Sequence, residues 1–141
     1  MDGPLADAPV RVLLVDDDEV IAGSLCRYLQ TQGCAVDVAP DAVSAVPLMR
    51  SRRYDVVVVD PYFTGGLVGG TSTLIKDVRE LQPGAPLIVL TAYSSPALLQ
   101  IAASSSLPLL HKPQSVVSLS HIILTAASAA SSGPRPPGPR Q

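Results

Sequence analysis

The chain lacks most features that mark secreted, membrane-spanning or nucleic-acid-binding proteins. Its 141 residues include only two cysteines, Cys26 and Cys34, too few for a disulfide framework and without the spacing of a zinc site. No apolar run approaches the roughly 18 residues of a membrane span, and the acidic N-terminus lacks a signal-peptide core. The body of the chain has no extended basic block to follow a nucleic-acid backbone. We therefore expect a soluble cytoplasmic protein with buried or partly buried free thiols, no membrane contact and no direct nucleic-acid binding.

Composition and length favour a single folded domain. Apolar residues make up 47% of the chain and charged residues 16%, which allows a hydrophobic core. We predict this domain over residues 9–130, after an N-terminal extension of residues 1–8. Residues 131–141 are rich in proline and are predicted to form a flexible tail. The tail either ends the protein or leads to a further domain.

Four short runs of the sequence are apolar throughout. They are residues 12–15 (VLLV), 56–59 (VVVV), 87–90 (LIVL) and 107–110 (LPLL). Such runs are typical of parallel strands that are covered on both faces. Residues 34–38 (CAVDV) alternate instead, which indicates an edge strand with one wetter face. Pro108 removes a backbone donor from the last run, which also suits an edge position.

Segments with a helical spacing of apolar residues follow each of these runs. Their apolar stripes are Ile21, Leu25, Tyr28 and Leu29; Ala42, Ala45, Val46 and Met49; Leu74, Ile75, Val78 and Leu81; Ala97, Leu98, Ile101 and Ala102; and Val116, Leu119, Ile122 and Ile123. Asp18 and Asp41 are predicted to cap the first two helices, and Pro83-Gly84 to stop the third. Pro47 should kink the second helix or delay its start. The alternation of strand and helix predicts an α/β fold with a doubly wound parallel sheet.

Acidic residues occupy the turn after the first predicted strand. They are Asp16, Asp17, Asp18 and Glu19. Ligands of open α/β sheets bind beyond the carboxyl ends of the strands, where a dinucleotide site would need glycines. A cluster of carboxylates there would instead hold a hard divalent cation, typically Mg²⁺. We assign metal binding to at least one of Asp16 and Asp17; the alternative is that both merely favour a helix N-terminus. We expect Asp18 and Glu19 to serve the cap and first turn.

Three further polar residues follow other predicted strands. Asp60 comes after the valine run and is either a nucleophilic carboxylate or a helix cap. Thr91 is either a hydroxyl donor beside Asp60 or a plain strand end. Lys112, held by the following Pro113, is either a positive charge aimed into the site or a surface lysine. Because all three would meet at one sheet edge, we favour the functional role for each.

These residues resemble those of a known family, the receiver domains of two-component response regulators. The resemblance is carried by RVLLVDDDEV, YDVVVVD, PLIVLTA and LLHKP, and covers residues 9–130. It implies a flavodoxin-like sheet of five parallel strands in the order 2-1-3-4-5, with helices on both faces.

The resemblance also implies a phosphorelay function. Asp60 would accept a phosphoryl group from a sensor histidine kinase or a phosphotransfer protein, while Thr91 and Lys112 contact phosphoryl oxygens. The implied Mg²⁺ ligands are Asp16, directly or through water, Asp17, Asp60 and the backbone carbonyl of Tyr62. The protein would catalyse only its own phosphorylation and dephosphorylation. Its output would be a contact with an unknown downstream protein, and the fourth and fifth helices offer a homodimer face.

The chain departs from the pattern of that family in its loop and its switch residue. The family's switch aromatic, three residues before the lysine, is Leu109 here. The loop after Asp60 reads PYFTGGLVGG, and its glycine pairs at 65–66 and 69–70 are expected to make it longer and looser. The phosphorylation chemistry is expected to be intact, whereas the usual switch relay is not.

Tyrosines stand at two variable positions beside the predicted site. Tyr62 lies two residues after Asp60, and Tyr93 two residues after Thr91. We expect their rings to shield an acyl phosphate from water and to slow its loss.

Two other functional interpretations remain open at this point. One is a degenerate receiver that acts as a phosphorylation-independent interaction module, favoured by the unusual loop and by Leu109. The other is a phosphohydrolase with Asp60 as nucleophile, disfavoured because haloacid dehalogenase enzymes carry a second Asp at the position of Tyr62.

Overall fold

The central element of the fold is a parallel sheet of five strands. The computed structural model describes residues 9–16, 18–60, 68–91, 100, 103, 109–111 and 115–132. The strands are β1 (Arg11–Val15), β2 (Ala35–Ala39), β3 (Val56–Val59), β4 (Leu87–Thr91) and β5 (Leu109–His111). They are ordered β2-β1-β3-β4-β5, and each neighbouring pair is parallel. The predicted strand order is confirmed, with β2 and β5 at the two edges.

Helices cover both faces of this sheet. They are α1 (Glu19–Thr31), α2 (Ala42–Ser51), α3 (Val68–Leu81) and α4 (Val116–Ser132). One apolar cluster joins α1 and α4 to one face, and a second joins α2 and α3 to the other. This confirms the predicted doubly wound α/β fold. Helix α4 is the fifth predicted helix; of the fourth, only Gln100 and Ala103 are described, and both are helical.

The valine run of β3 shows why the central strands are apolar at every position. Val56 and Val58 belong to the cluster under α1 and α4, whereas Val57 and Val59 belong to the cluster under α2 and α3. Successive side chains of a strand point to opposite faces, and here both faces are covered. All four valines are buried.

Both predicted helix caps are present. The carboxylate of Asp18 accepts the Ile21 N–H at 3.2 Å, and that of Asp41 accepts the Ser44 N–H at 2.8 Å. The second bond lowers the pKa of Asp41 below its ordinary value. These bonds satisfy backbone donors that have no partner within the first turn.

Pro47 lies inside α2 without delaying its start. The helix begins at Ala42, so the delayed start, one of the two predicted effects, is wrong, and the kink stays a prediction. Val43 carries the carbonyl that residue 47 would otherwise bond, and Val43 is 82% exposed. Water can therefore replace the missing donor at that carbonyl.

Two predicted boundaries differ from the structure. Gly69 and Gly70 were assigned to a loose loop, but α3 begins at Val68 and includes both residues. Packing of the later turns of α3 on the sheet supports a first turn that the glycines would disfavour by propensity alone. Helix α4 runs to Ser132, two residues into the predicted tail.

Strand β2 lies at an edge of the sheet, as predicted, and its more exposed face is the one that carries Val38. Asp37 lies on the face covered by α2, where Tyr54 Oη donates to its carboxylate at 2.6 Å and Arg52 donates at 3.0 and 3.1 Å. Val38, on the other face, is 41% exposed. Burial and the bond to Asp37 raise the pKa of Tyr54 above its ordinary value. Asp37, the polar residue of the alternating pattern, is thus covered by tertiary contacts, whereas the apolar Val38 is exposed.

The two cysteines are free thiols, as predicted. Cys34 is buried and Cys26 is partly buried, and burial raises the pKa of both thiols. Among the residues that the structure describes, no helix is long and apolar enough to cross a membrane.

Gln82, which directly follows α3, links it to α2 and to the segment that leads into β3. Its side-chain amide donates to the carbonyls of Met49 at 2.8 Å and Arg52 at 2.6 Å, and its oxygen accepts the Tyr54 N–H at 2.9 Å. Gln82 is buried, so water cannot readily replace these partners.

Replacing Gln82 with Met should therefore destabilise the protein strongly. The variant keeps the side-chain volume but leaves three backbone groups without their partner, and we expect the free energy of unfolding to fall by about 3 kcal/mol. Urea denaturation measures the change, with the exposed Gln30→Met in α1 as the matched control. Equal stability of the two variants would contradict this role.

Candidate functional site

Two buried carboxylates meet at the carboxyl edge of the sheet. Val15 of β1 pairs with Val59 of β3, so the residues that follow them, Asp16 and Asp60, are neighbours. The Asp60 N–H donates to the Val15 carbonyl at 2.8 Å, and the Asp16 N–H donates to the Ala39 carbonyl at 3.0 Å. Asp16 is 8% exposed and Asp60 is 2% exposed. The structure thus brings together two of the predicted site residues.

Asp16 is also tied to the start of α1. One oxygen of its carboxylate accepts the Asp18 N–H at 2.9 Å, and Asp18 in turn caps the helix. Helix α1 therefore begins beside the site, and the positive end of its dipole favours negative charge there. The capping role of Asp18 was predicted from the sequence, whereas its bond to Asp16 was not. Asp side chains commonly accept the backbone N–H two residues further along the chain, so an aspartate two residues before a predicted cap is a signal for this turn.

The two carboxylates border a small cavity under α1. The other lining residues are apolar: Leu14, Val15, Ile21, Ala22, Leu25, Val58 and Leu90. Charges in such surroundings interact more strongly than in water, because little solvent screens them. Two neighbouring carboxylates here favour a bound cation.

The remaining predicted residues are placed only in part. Thr91 ends β4, and the pairing of Val59 with Val89 puts its backbone one position beyond Asp60 along the sheet edge. Thr91 also pairs with His111 of β5, and Lys112 is the next residue in the chain.

Four of the predicted residues lie outside the described residues, so their predicted roles stay predictions; they are Lys112, Asp17, Tyr62 and Tyr93. Leu109 begins β5 beside Val89, at the position of the absent aromatic.

The described donors fit a hard divalent cation as a partial set. Asp16 and Asp60 offer carboxylate oxygens, the ligand type that Mg²⁺ and Ca²⁺ prefer. Within the described ranges, no three His, Cys, Asp or Glu side chains are grouped closely enough to hold a metal by themselves. A complete set therefore needs the predicted Asp17 and Tyr62 ligands or water, and Mg²⁺ commonly keeps several waters.

The comparison with known protein families decides the assignment. Residues 12–124 match the family model of the response regulator receiver domain. The chain belongs to the response regulator receiver family. The match runs from the second residue of β1 to the middle of α4 and therefore includes Asp16 and Asp60.

Relatives of this receiver domain include longer regulators. Over 90 residues it is 37% identical to the response regulator MprA of Mycobacterium sp. strain KMS. The aligned part is 62% of this chain and 36% of MprA. It is 38% identical over 81 residues to the transcription factor SKN7 of Saccharomyces cerevisiae, covering 57% of this chain and 12% of SKN7. The chain thus spans well under half of either relative.

Two solved structures share the fold of this receiver domain. A CheY-like receiver domain protein from Methanospirillum hungatei superposes with a TM-score of 0.80 at 20% identity, covering 89% of this chain and 99% of that one. A response regulator from Burkholderia pseudomallei superposes with a TM-score of 0.72 at 31% identity, covering 87% and 71%. That protein was solved with a phosphorylated aspartic acid, a calcium ion and citrate.

Mg²⁺ should stabilise this receiver domain through Asp16 and Asp60. At a concentration 100 times its dissociation constant, a ligand of the folded state adds about 2.7 kcal/mol, which shifts the melting temperature by several degrees. We expect Asp16→Asn and Asp60→Asn to lose most of this shift and Asp77→Asn, on α3, to keep it. Thermal melts with and without Mg²⁺ measure the effect. A full shift in the Asp60 variant would exclude Asp60 as a ligand.

Proposed function

We propose that this receiver domain is a phosphorylation switch in which Asp60 accepts a phosphoryl group from a phosphohistidine. The donor would be a sensor histidine kinase or a phosphotransfer protein. The observation that carries the proposal is the position of Asp60, buried at the end of β3 beside Asp16, at the sheet edge where ligands of this fold bind. Membership of the receiver family supports the same assignment.

The proposed reaction moves one phosphoryl group between two side chains. A carboxylate oxygen of Asp60 attacks the phosphorus, the phosphorus–nitrogen bond of the donor breaks, and an acyl phosphate forms on Asp60. The freed electron pair returns to the imidazole of the donor. Catalysis of such a transfer is mostly placement and charge stabilisation. The protein acts in this way only on itself, including the later hydrolysis.

The remaining site residues would stabilise the charge that collects at the edge. Mg²⁺, when bound, would offset the negative charge of the carboxylates and of the phosphoryl oxygens. Asp16, Asp17, Asp60 and the Tyr62 carbonyl would hold it. Lys112 and Thr91 would each contact a phosphoryl oxygen. The bond from the Asp18 N–H holds the Asp16 carboxylate in a fixed orientation beside Asp60.

The output of the switch is proposed to be a protein contact. Leu109 offers no ring or hydroxyl to Thr91, so this position can respond to phosphorylation only through its packing. The proposed partners are the phosphodonor protein and a downstream protein. A homodimer through α4 and the preceding predicted helix belongs to the same proposal.

Phosphorylation by acetyl phosphate tests the proposal. With Mg²⁺ present, we expect the intact mass of the protein to increase by one phosphoryl group, and we expect no increase in Asp60→Asn or without Mg²⁺. Asp77→Asn serves as the matched control and should be phosphorylated like the natural protein. If a folded protein accepts no phosphoryl group from acetyl phosphate or from a phosphohistidine donor, the degenerate interaction module becomes the better interpretation.

Tyr62 and Tyr93 are proposed to slow the loss of this phosphoryl group. Tyr93→Ala and Tyr62→Ala should shorten the half-life of the acyl phosphate severalfold, because a ring that excludes water is removed. Tyr93→Phe keeps the ring and should keep the long half-life. The measurement is the decay of phosphorylated protein after the donor is removed, and unchanged decay in both Ala variants would contradict the shielding.

A further inference from the structure

Strand β2 is an edge strand of the described sheet, and its sequence reads the same in both directions. Its five residues, Ala35–Ala39, are AVDVA, with Asp37 at the centre. Its inner side pairs with β1, and no described strand pairs with its outer side. An open edge of small and β-branched residues is a template for pairing with another strand.

The outer hydrogen-bonding groups of β2 belong to its two valines. The Ala35 N–H donates towards β1, to the Val10 carbonyl at 2.8 Å, and the Ala39 carbonyl accepts from Asp16 on the same side at 3.0 Å. Because successive residues of a strand direct these groups to opposite sides, those of Val36 and Val38 point outwards.

A second copy of this chain would fit that edge in one antiparallel register. Only the register centred on Asp37 pairs all five residues, and it sets Val36 of one copy opposite Val38 of the other. These valines would exchange backbone hydrogen bonds and also face each other as a β-branched pair, which favours association.

The same register sets Asp37 opposite Asp37 of the second copy. The two would form a non-hydrogen-bonded pair, in which the side chains come closer than in the alternate pairs. Like charges directly opposite each other in a sheet are destabilising. Pairing would also bury further a carboxylate whose side chain is now 27% exposed.

The contacts of Asp37 keep its charge at that position. Arg52 donates to both of its oxygens, and Tyr54 Oη donates to one of them. Both partners belong to its own copy and approach from the face of the sheet that α2 covers. These contacts hold the carboxylate at residue 37, the one position of β2 that would lie opposite the same residue of the second copy.

We infer that Asp37 prevents the self-complementary edge strand β2 from pairing with β2 of a second copy of this chain. The pairing surface is the outer side of Ala35–Ala39, and removal of one negative charge is enough to open it. The inference does not depend on phosphorylation, so neither result of its test bears on the role of Asp60.

Sedimentation equilibrium of the full chain measures self-association and so tests this role of Asp37. Asp37→Asn keeps an acceptor for Tyr54 and Asp37→Val removes it, yet both should raise the association constant by about tenfold or more, because both remove the opposed charges. Asp77→Asn changes the net charge equally and should associate like the natural protein. Amide hydrogen exchange should show new protection at Val36 and Val38 in the associating variants.

Three outcomes would overturn the inference. The first is folded Asp37 variants that associate no more than the natural chain. The second is increased association without new protection at Val36 and Val38, which places the contact elsewhere. The third is a natural chain that already pairs through β2 and is weakened by Asp37→Asn, in which case Asp37 and Arg52 hold the two copies together. Circular dichroism confirms that each variant is folded.

Discussion

The pairing of β1 with β3 is the constraint on which the site depends. It places Asp16 and Asp60 next to each other, and the bond from the Asp60 N–H to the Val15 carbonyl holds both residues at the same level along the strands. Helices cover both faces, so the two carboxylates lie where water screens little of their repulsion. A site with this charge favours a cation, and we propose that this cation allows the site to accept a phosphoryl group.

The two ends of the sheet serve different purposes. At the carboxyl end, Asp16 and Asp60 lie beside the start of α1, where we propose that phosphoryl transfer takes place. Before the amino end of β3, Gln82 satisfies backbone groups of α2 and of the segment that leads into β3, while Tyr54 and Arg52 hold Asp37 on the edge strand. The second set of contacts fixes the frame on which the first is built.

Much of the fold follows from local patterns in the sequence, and the exceptions have a common cause. Continuous valines predicted β3, and Asp18 and Asp41 predicted their caps, because each depends on residues a few positions away. The environment of Asp37 did not follow, since its partners Arg52 and Tyr54 are 15 and 17 residues distant. The helical state of Gly69 and Gly70 likewise reflects packing later in α3 that overrides propensity. For the site, order along the chain predicted that Asp16 and Asp60 meet, but not the bond from Asp18 that orients Asp16.

The most direct test of the central claim is to locate the modified residue. An aspartyl phosphate is an acyl phosphate, and borohydride reduces it to homoserine at the same position. The protein is phosphorylated by a phosphohistidine donor with Mg²⁺, reduced, digested and sequenced by mass spectrometry. The account predicts homoserine at residue 60 alone. Homoserine at Asp16 or another aspartate, or none in a protein that carries phosphate, would contradict it.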